Sequence, residues 1–113
     1  MIIRRARKLR YNIYVIELDR SVLESKRFRD ANPNMSSEGR CFYVGQSYLP
    51  PEERFQQHKD GYKANKLVKE YGIHLIRSIC NEYNPVASRE EALLLEEAMA
   101  KKLREEGHAV WCH

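Results

Sequence analysis

Short runs of aromatic and β-branched residues recur along the chain and predict strands. Residues 11–18 (YNIYVIEL) form the clearest run, residues 41–45 (CFYVG) form a shorter one, and residues 73–80 (IHLIRSIC) form a third. Such runs, bounded by polar segments, are typical of β-strands. We expect the first two runs to pair as a hairpin. Residues 109–111 are interpreted either as a terminal strand or as a docked tail.

Helix signals fill the polar segments between and after these runs. Prolines and acidic residues at 50–53 predict a helix start, and Asp60-Gly61 predicts its end. A second short helix is predicted over residues 64–71, with Gly72 just beyond it. Ser88 and Glu91 form a capping box that opens the longest helix, over residues 89–106.

The segment between the first two predicted strands is less regular. Ser21-Val-Leu-Glu24 has the form of a capping box, and Pro33 would stop a short helix after about residue 31. The complete order predicts the α+β class, with a small mixed or antiparallel three-stranded sheet flanked by helices. A single domain over residues 1–113 is expected, because 113 residues are too few for two ordinary domains.

The charge distribution permits a nucleic-acid partner. The chain has 20 Lys and Arg against 16 Asp and Glu, a net charge of +4. The first ten residues form a basic segment containing Arg4, Arg5, Arg7, Lys8 and Arg10. Such a segment can neutralise phosphates, and a solvated terminus is an equally good interpretation.

The cysteines and the apolar runs suggest where the protein works. The three cysteines are far apart and form no Cys-x-x-Cys pair, which favours reduced thiols over zinc or a redox couple. No apolar run approaches the length of a membrane span or a signal-peptide core. We therefore expect a soluble, cytoplasmic protein with no membrane partner.

One carboxylate of the longest predicted helix lies among apolar positions. At about 100° per residue, Glu96 falls near the middle of a sector shared with Ala92, Leu95, Met99, Ala100 and Leu103. A charge directed at a core is costly unless it is paired or bound to a metal. Glu96 is therefore either a salt-bridged or tilted residue or a metal ligand, whereas Glu97 is predicted to be solvated.

The predicted helix at 51–60 has a single large apolar residue, Phe55. Arg54 and His58 are four residues apart and share a face beside it, so docking of Phe55 would turn both toward the sheet. Arginine suits a phosphate, and histidine exchanges protons near neutral pH. Taken singly, these residues are ordinary surface groups, and Tyr14 and Tyr43 are ordinary half-buried strand tyrosines.

Taken together, these positions resemble the GIY-YIG endonuclease superfamily. Asn12-Ile13-Tyr14 resembles the family's GIY element with asparagine in place of glycine, and Tyr43-Val44-Gly45 resembles YIG. Pro51-x-x-Arg54-Phe55-x-x-His58 is similar to the family's first helix. Glu91-Ala-Leu-x-x-Glu96 is similar to the helix that carries the family's metal-binding glutamate. The matches follow the family's order from residue 12 to about residue 103.

Two features depart from the family pattern. Residues 19–40 are much longer than the usual hairpin loop and look like an insertion between the first two strands. The asparagine that many members carry near the C-terminus has no clear counterpart in residues 107–113. The loss of this residue puts one hydrogen bond in question and does not by itself abolish a metal site.

The resemblance implies a divalent-metal-dependent endonuclease that hydrolyses DNA. Tyr14 would deprotonate or orient the attacking water with help from His58, and Tyr43 would position water or phosphate. Arg54 would stabilise the phosphoryl group, and Glu96 would hold one Mg²⁺ or Mn²⁺. The basic segment would hold the DNA backbone together with Lys59, Lys63 and Lys66, although plain solvation is the alternative for each lysine.

Other functions are compatible with the same residues. The chain is alternatively a catalytically inactive nucleic-acid-binding module of the same fold, an RNA-directed nuclease, or a protein-interaction domain in which the tyrosines and Glu96 only pack. Its small size predicts either a structure-selective enzyme or one that takes its specificity from a protein partner.

Overall fold

The computed structural model describes residues 11–112 and has the α+β class that the sequence predicts. A 3₁₀-helix spans Arg20–Glu24. The strands are β1 (Asn12–Leu18), β2 (Cys41–Ser47), β3 (Gly72–Leu75) and β4 (Ala109–Cys112). The helices are α1 (Lys26–Asp30), α2 (Pro51–Asp60), α3 (Lys66–Tyr71), α4 (Arg77–Tyr83) and α5 (Arg89–Glu105). Arg4, Arg5, Arg7, Lys8 and Arg10 lie outside the described residues, so their contact with DNA stays a prediction.

The sheet is mixed and has four strands, in the order β3-β1-β2-β4. The predicted hairpin of β1 and β2 is present, with Tyr14 opposite Gly45 and Ile16 opposite Tyr43. β3 runs antiparallel to β1, whereas β4 runs parallel to β2. The prediction of three strands is therefore wrong, because the C-terminal residues pair with the free edge of β2 and extend the sheet.

The predicted third strand is also too long. β3 ends at Leu75, and α4 occupies most of the rest of the apolar run. The apolar and aromatic residues after Leu75 are spaced three or four apart, at Ile76, Ile79, Cys80 and Tyr83. That spacing follows one face of a helix. The run was predicted to be a strand throughout because it is rich in β-branched residues, which favour strands.

Both faces of the sheet are covered. On one face, Tyr14, Ile16 and Tyr43 join a core that includes the 3₁₀-helix, α1 and α3. On the other, Val15 and Val44 pack with residues of α5, supported by α4. Alternation along β1 therefore directs Tyr14 to the first face and Val15 to the second.

The segment predicted to be an insertion, residues 19–40, takes part in this core. Val22 and Phe28 are completely buried in the same cluster as Tyr14 and Tyr43. The buried Asn32 side chain donates to the carbonyl oxygens of Phe28 and Val110, and its Oδ1 accepts from the Val110 amide at 2.8 Å. These bonds link α1 to β4, so the segment is an integral part of the domain.

Candidate active site

Two tyrosines converge on one face of the sheet. Tyr14 lies opposite Gly45, and Tyr43 precedes Gly45 by two residues, so both side chains point the same way. Their ring centroids are 6.1 Å apart, and both side chains are buried. A Cβ atom at position 45 would lie 2.6 Å from the Tyr14 hydroxyl oxygen and 2.9 Å from Cε1 of Tyr43. Glycine is therefore required for the Tyr14 ring to lie across β2.

Helix α2 brings the predicted arginine and histidine to these tyrosines. The helix begins at Pro51, and it ends before Gly61, whose φ of 87° is in the left-handed region. Phe55 packs against the core, which is the docking on which the expected orientation of Arg54 and His58 depends. His58 is consequently buried, and its Nε2 lies 2.9 Å from the Tyr14 hydroxyl oxygen.

The hydrogen bonds of His58 define its tautomer. The backbone N–H of Asn65 donates to Nδ1 at 3.0 Å, so Nδ1 carries no proton. Burial, together with the positive charge of Arg54, lowers the pKa of His58 to about 4, and the ring is neutral at pH 7. A neutral imidazole has one N–H. That proton is therefore on Nε2, and His58 donates a hydrogen bond to Tyr14.

Arg54 is held by the turn after α2. Its guanidinium donates to Oε1 of Gln57 at 3.0 Å and to the carbonyl oxygens of Tyr62 and Lys63 at 3.2 and 2.8 Å. The turn over residues 61–65 thus positions the side chains of both Arg54 and His58. It supplies acceptors to Arg54 and, through the Asn65 amide, a donor to His58.

These groups surround a cavity of about 290 Å³, which is lined by Tyr14, Tyr43, Gln46, Arg54, His58, Lys63, Ala64 and Asn65. Arg54 and Lys63 provide positive charge, and the described lining residues include no carboxylate. The cavity therefore favours an anionic group. Gln46, Asn65 and the turn were not among the predicted site residues. Asn65 could have been recognised from the sequence as the cap of α3, because asparagine is a favoured N-cap residue. Its Oδ1 accepts from the amides of Leu67 and Val68.

Burial keeps both phenols neutral at pH 7. It is the main cause of the raised pKa of Tyr14, which the neighbouring Tyr43 raises further and the charge of Arg54 lowers. Burial, followed by the charge of Glu96, raises the pKa of Tyr43 to about 12. The positive charge of Arg54 is thus outweighed, and Tyr14 is a hydroxyl rather than a phenolate in the protein alone.

Glu96 lies apart from the cavity wall. It is buried on α5 with Ala92 and Met99, as helical periodicity predicts, and Glu97 is exposed. The negative charge of Glu96 raises the pKa of both Tyr43 and Cys112, so its field reaches the tyrosine pair. Within residues 11–112, no three His, Cys, Asp or Glu side chains form a group that could hold a metal ion.

The three predicted lysines differ in their surroundings. Lys59 donates to the carbonyl oxygens of Lys69 and Gly72, both at 3.0 Å, and thereby ties α2 to the end of α3. Lys63 lines the cavity and is exposed. Lys66 is exposed at the first position of α3. Lys63 and Lys66 are therefore the two with side chains open to a ligand.

A larger cavity of about 630 Å³ lies between residues 31–35, the C-terminal half of α5 and β4. Its charged lining residues have mixed signs, and Lys101 and Glu105 pair across 3.9 Å. Arg104 is engaged by Asn32 and by the Val110 carbonyl. The candidate active site is assigned to the smaller cavity, because a buried tyrosine–histidine hydrogen bond and an arginine meet there and its described lining residues include no carboxylate.

The chain matches no protein-family model, no curated protein and no solved structure. Among the residues that the structure describes, no helix is long and apolar enough to cross a membrane.

Proposed function

We propose that the chain is a divalent-metal-dependent endonuclease of the GIY-YIG type that hydrolyses DNA phosphodiester bonds. The observation that carries the proposal is the convergence of Tyr14, Tyr43, Arg54 and His58 on one cavity. These residues come from two strands and a helix, and each has chemistry that phosphodiester hydrolysis can use. The proposal includes a cytoplasmic location.

The cavity suits the phosphoryl group of a nucleic acid. Phosphodiester hydrolysis requires stabilisation of negative charge on the phosphoryl oxygens. A guanidinium has five N–H donors, and the bonds of Arg54 to Gln57, Tyr62 and Lys63 use three of them. A further side-chain hydrogen bond from Arg54 lowers the pKa of Tyr14, which places the guanidinium beside that hydroxyl. Its charge faces the cavity, and Lys63 adds a second positive charge at the rim.

His58 acts on the reaction through Tyr14. Because Nε2 carries the proton, His58 cannot accept one from the tyrosine. It donates to the Tyr14 oxygen instead. This bond stabilises negative charge on that oxygen when Tyr14 has lost its proton to solvent, or when the neutral hydroxyl accepts a hydrogen bond from the attacking water. Tyr43, next to Tyr14, positions water or phosphate by hydrogen bonding. His58 is therefore a positioning residue in this proposal.

Glu96 is the candidate ligand for Mg²⁺ or Mn²⁺. Mg²⁺ commonly takes one or two carboxylates and completes its shell with water and substrate oxygens, so a single glutamate suffices. Glu96 is the acidic residue whose charge acts on Tyr43. Held by Glu96, such an ion would supply Lewis-acid stabilisation for charge that develops on the leaving oxygen.

The test is cleavage of supercoiled plasmid and branched DNA by the purified protein with Mg²⁺, with Mn²⁺ and with a chelator. We expect metal-dependent cutting that falls at least about 100-fold in Glu96→Gln and in Arg54→Gln, since each loses charge stabilisation in the transition state. Glu97→Gln is the matched control, because this exposed neighbour faces away from the sector of Glu96, and its activity should be unchanged. Calorimetric titration with Mn²⁺ should show a site that Glu96→Gln lacks and Glu97→Gln keeps.

Other results would support a different function. Salt-sensitive DNA binding without cutting would identify an inactive binding module. Preferential cutting of RNA of the same sequence and branching would identify an RNA-directed nuclease. A protein in which Glu96→Gln changes neither nucleic-acid binding nor metal binding would fit an interaction domain.

A further inference from the structure

A cationic group outside the cavity lies on the same face of the sheet as the two site tyrosines. Trp111 of β4 pairs with Tyr43 of β2, and its side chain packs against the core cluster that contains Tyr14 and Tyr43. The three aromatic side chains therefore lie on neighbouring strands, each about 5 Å from the next. The guanidinium carbon of Arg27, from α1, lies over the Trp111 ring, 4.8 Å from its centroid. Arg27 thus places a positive charge one strand beyond Tyr43.

Arg27 differs from the other basic residues of the segment at 19–40. Those residues are bound to carbonyl oxygens or carboxylates: Arg20 to the carbonyls of Ser37 and Gly39, Arg29 to the carbonyls of Leu23 and Glu24, Lys26 to Asp30, and Arg40 to Glu17. Among residues 11–112, Arg27 forms no ion pair with a carboxylate, and it is exposed. Within this segment, which the structure describes in full, Arg27 is the basic residue whose charge remains open to a partner.

A guanidinium that lies over an indole ring is well suited to hold a phosphate. Contact with the ring occupies one face of the planar group, whereas its five N–H donors point outward in the plane. The ring also attracts the cation without using any of these donors. Arg27 can therefore bind phosphate oxygens and keep its contact with Trp111. Arg54, in contrast, uses three donors to hold the turn after α2.

Positive charge thus flanks the tyrosines on two sides. Arg54 and Lys63 line the cavity from α2 and the turn that follows it, and α2 contacts β1 and β3. Arg27 lies on α1, which contacts β4. In the strand order β3-β1-β2-β4, Tyr14 and Tyr43 occupy the two central strands between these charges. A phosphodiester chain that crosses the strands therefore meets Lys63, the tyrosines and Arg27 in turn.

We propose, on the basis of the proposed function, that Arg27 and Trp111 form an anchor for a DNA backbone phosphate outside the cavity. The bound strand leaves the cavity across β2 and β4. Trp111 holds the guanidinium in place, and Arg27 contacts the phosphate. In this way the segment at 19–40, which departs from the family pattern, contributes directly to substrate binding.

The test measures DNA binding in the presence of a chelator, so that binding is separated from cutting. Affinity of the full chain for a duplex oligonucleotide would be measured by fluorescence anisotropy over a series of salt concentrations. The logarithm of the binding constant falls with the logarithm of the salt concentration by about 0.9 for each phosphate neutralised on B-DNA. We expect Arg27→Gln to reduce this slope by about 0.9 and to weaken binding about fivefold at ~0.1 M salt.

Matched variants separate this contact from a general loss of charge. Lys26→Gln removes an exposed positive charge one residue away, and it should change the slope by less than about 0.3, because this ammonium is paired with Asp30. Arg27→Lys keeps the charge and should keep the slope. Trp111→Leu removes the ring without a change of charge and should weaken binding at least about twofold, whereas Trp111→Phe keeps a ring and should bind as the wild type does. Circular dichroism would confirm that each variant is folded.

The inference is wrong if Arg27→Gln binds DNA with the wild-type slope and affinity, if Lys26→Gln weakens binding as much as Arg27→Gln, or if the wild-type protein binds no DNA. Its failure is distinct from failure of the proposed function. DNA binding with the expected effect of Arg27→Gln but without metal-dependent cutting would overturn the nuclease proposal alone. Metal-dependent cutting by a protein whose Arg27→Gln variant binds DNA as the wild type does would overturn the anchor alone.

Discussion

Gly45→Ala tests whether the close approach of β2 to the Tyr14 ring defines the candidate site. The added Cβ would lie 2.6 Å from the Tyr14 hydroxyl oxygen, 2.7 Å from its Cζ and 2.9 Å from Cε1 of Tyr43. Contacts this short cannot persist, so the rings must move. Tyr14 is only 1% exposed, and its movement must therefore disturb the packing around it.

The expected effect follows from these distances. Relief of a 2.6 Å contact requires a shift on the order of 1 Å, since nonbonded carbon and oxygen atoms gain most at about 3.5 Å. A displacement of that size breaks the 2.9 Å bond between Tyr14 and His58. Overpacking of a core costs about 1–3 kcal/mol of unfolding free energy, and a 1 Å misplacement of a catalytic group lowers a rate about 100-fold.

Three measurements check this prediction. The DNA cleavage rate should fall about 100-fold, and the urea midpoint of unfolding should decrease. The pKa of His58, followed by NMR, should rise from about 4 toward its ordinary value as water reaches the ring. Ser47→Ala, on the same strand, is the control and should leave the rate and the His58 pKa unchanged. A Gly45→Ala protein with wild-type rate, stability and His58 pKa would refute the reasoning.

Three further predictions concern protonation and packing. Because the pKa of His58 is lowered to about 4, the unfolded chain binds more protons than the folded protein between about pH 4 and pH 6.5. His58 therefore contributes stability that is fully present above pH 6.5 and is lost as the pH falls toward 4. In urea denaturation, the decrease in unfolding free energy over this pH range should be smaller in His58→Gln by up to about 3 kcal/mol. If Tyr14 is the base, its raised pKa predicts a cleavage rate that rises about tenfold per pH unit from pH 7 to 9, whereas a flat profile would limit Tyr14 to orienting water. Asn32→Ala should lower the unfolding free energy by about 2–4 kcal/mol, because the buried amide of Val110 loses the Oδ1 atom of Asn32 as its acceptor. The control Asn34→Ala, at an exposed position, should change the unfolding free energy by less than about 0.5 kcal/mol.

Local signals predicted α2, α3, α5 and the two hairpin strands, but they did not predict α4, β4 or the end of β3. The limits of α2 agree with the prediction because proline, acidic residues and a left-handed glycine act within one turn of each helix end. β3 and β4 depend on partners far along the chain. The edge of β2 accepts residues 109–112, and no local pattern of four residues reveals such pairing.

The same distinction applies to the candidate site. Helical spacing was sufficient to predict that docking of Phe55 turns Arg54 and His58 toward the sheet. It could not predict that Asn65 fixes the His58 tautomer, because that contact depends on the path of the turn over residues 61–65. Helical phase likewise indicated that Glu96 is buried, but it contains no information on the distance from α5 to the cavity.

The segment at 19–40 shows how a departure from a family pattern can still support the site. Val22 and Phe28 are fully buried in the cluster that contains Tyr14 and Tyr43, so part of the packing around the tyrosines comes from this segment. A buried ring keeps its orientation only when neighbours fill the space around it. A dispensable hairpin extension would bury none of its own apolar residues with the sheet. Residues 19–40 are therefore better understood as part of the scaffold that holds the phenols in place than as an added module.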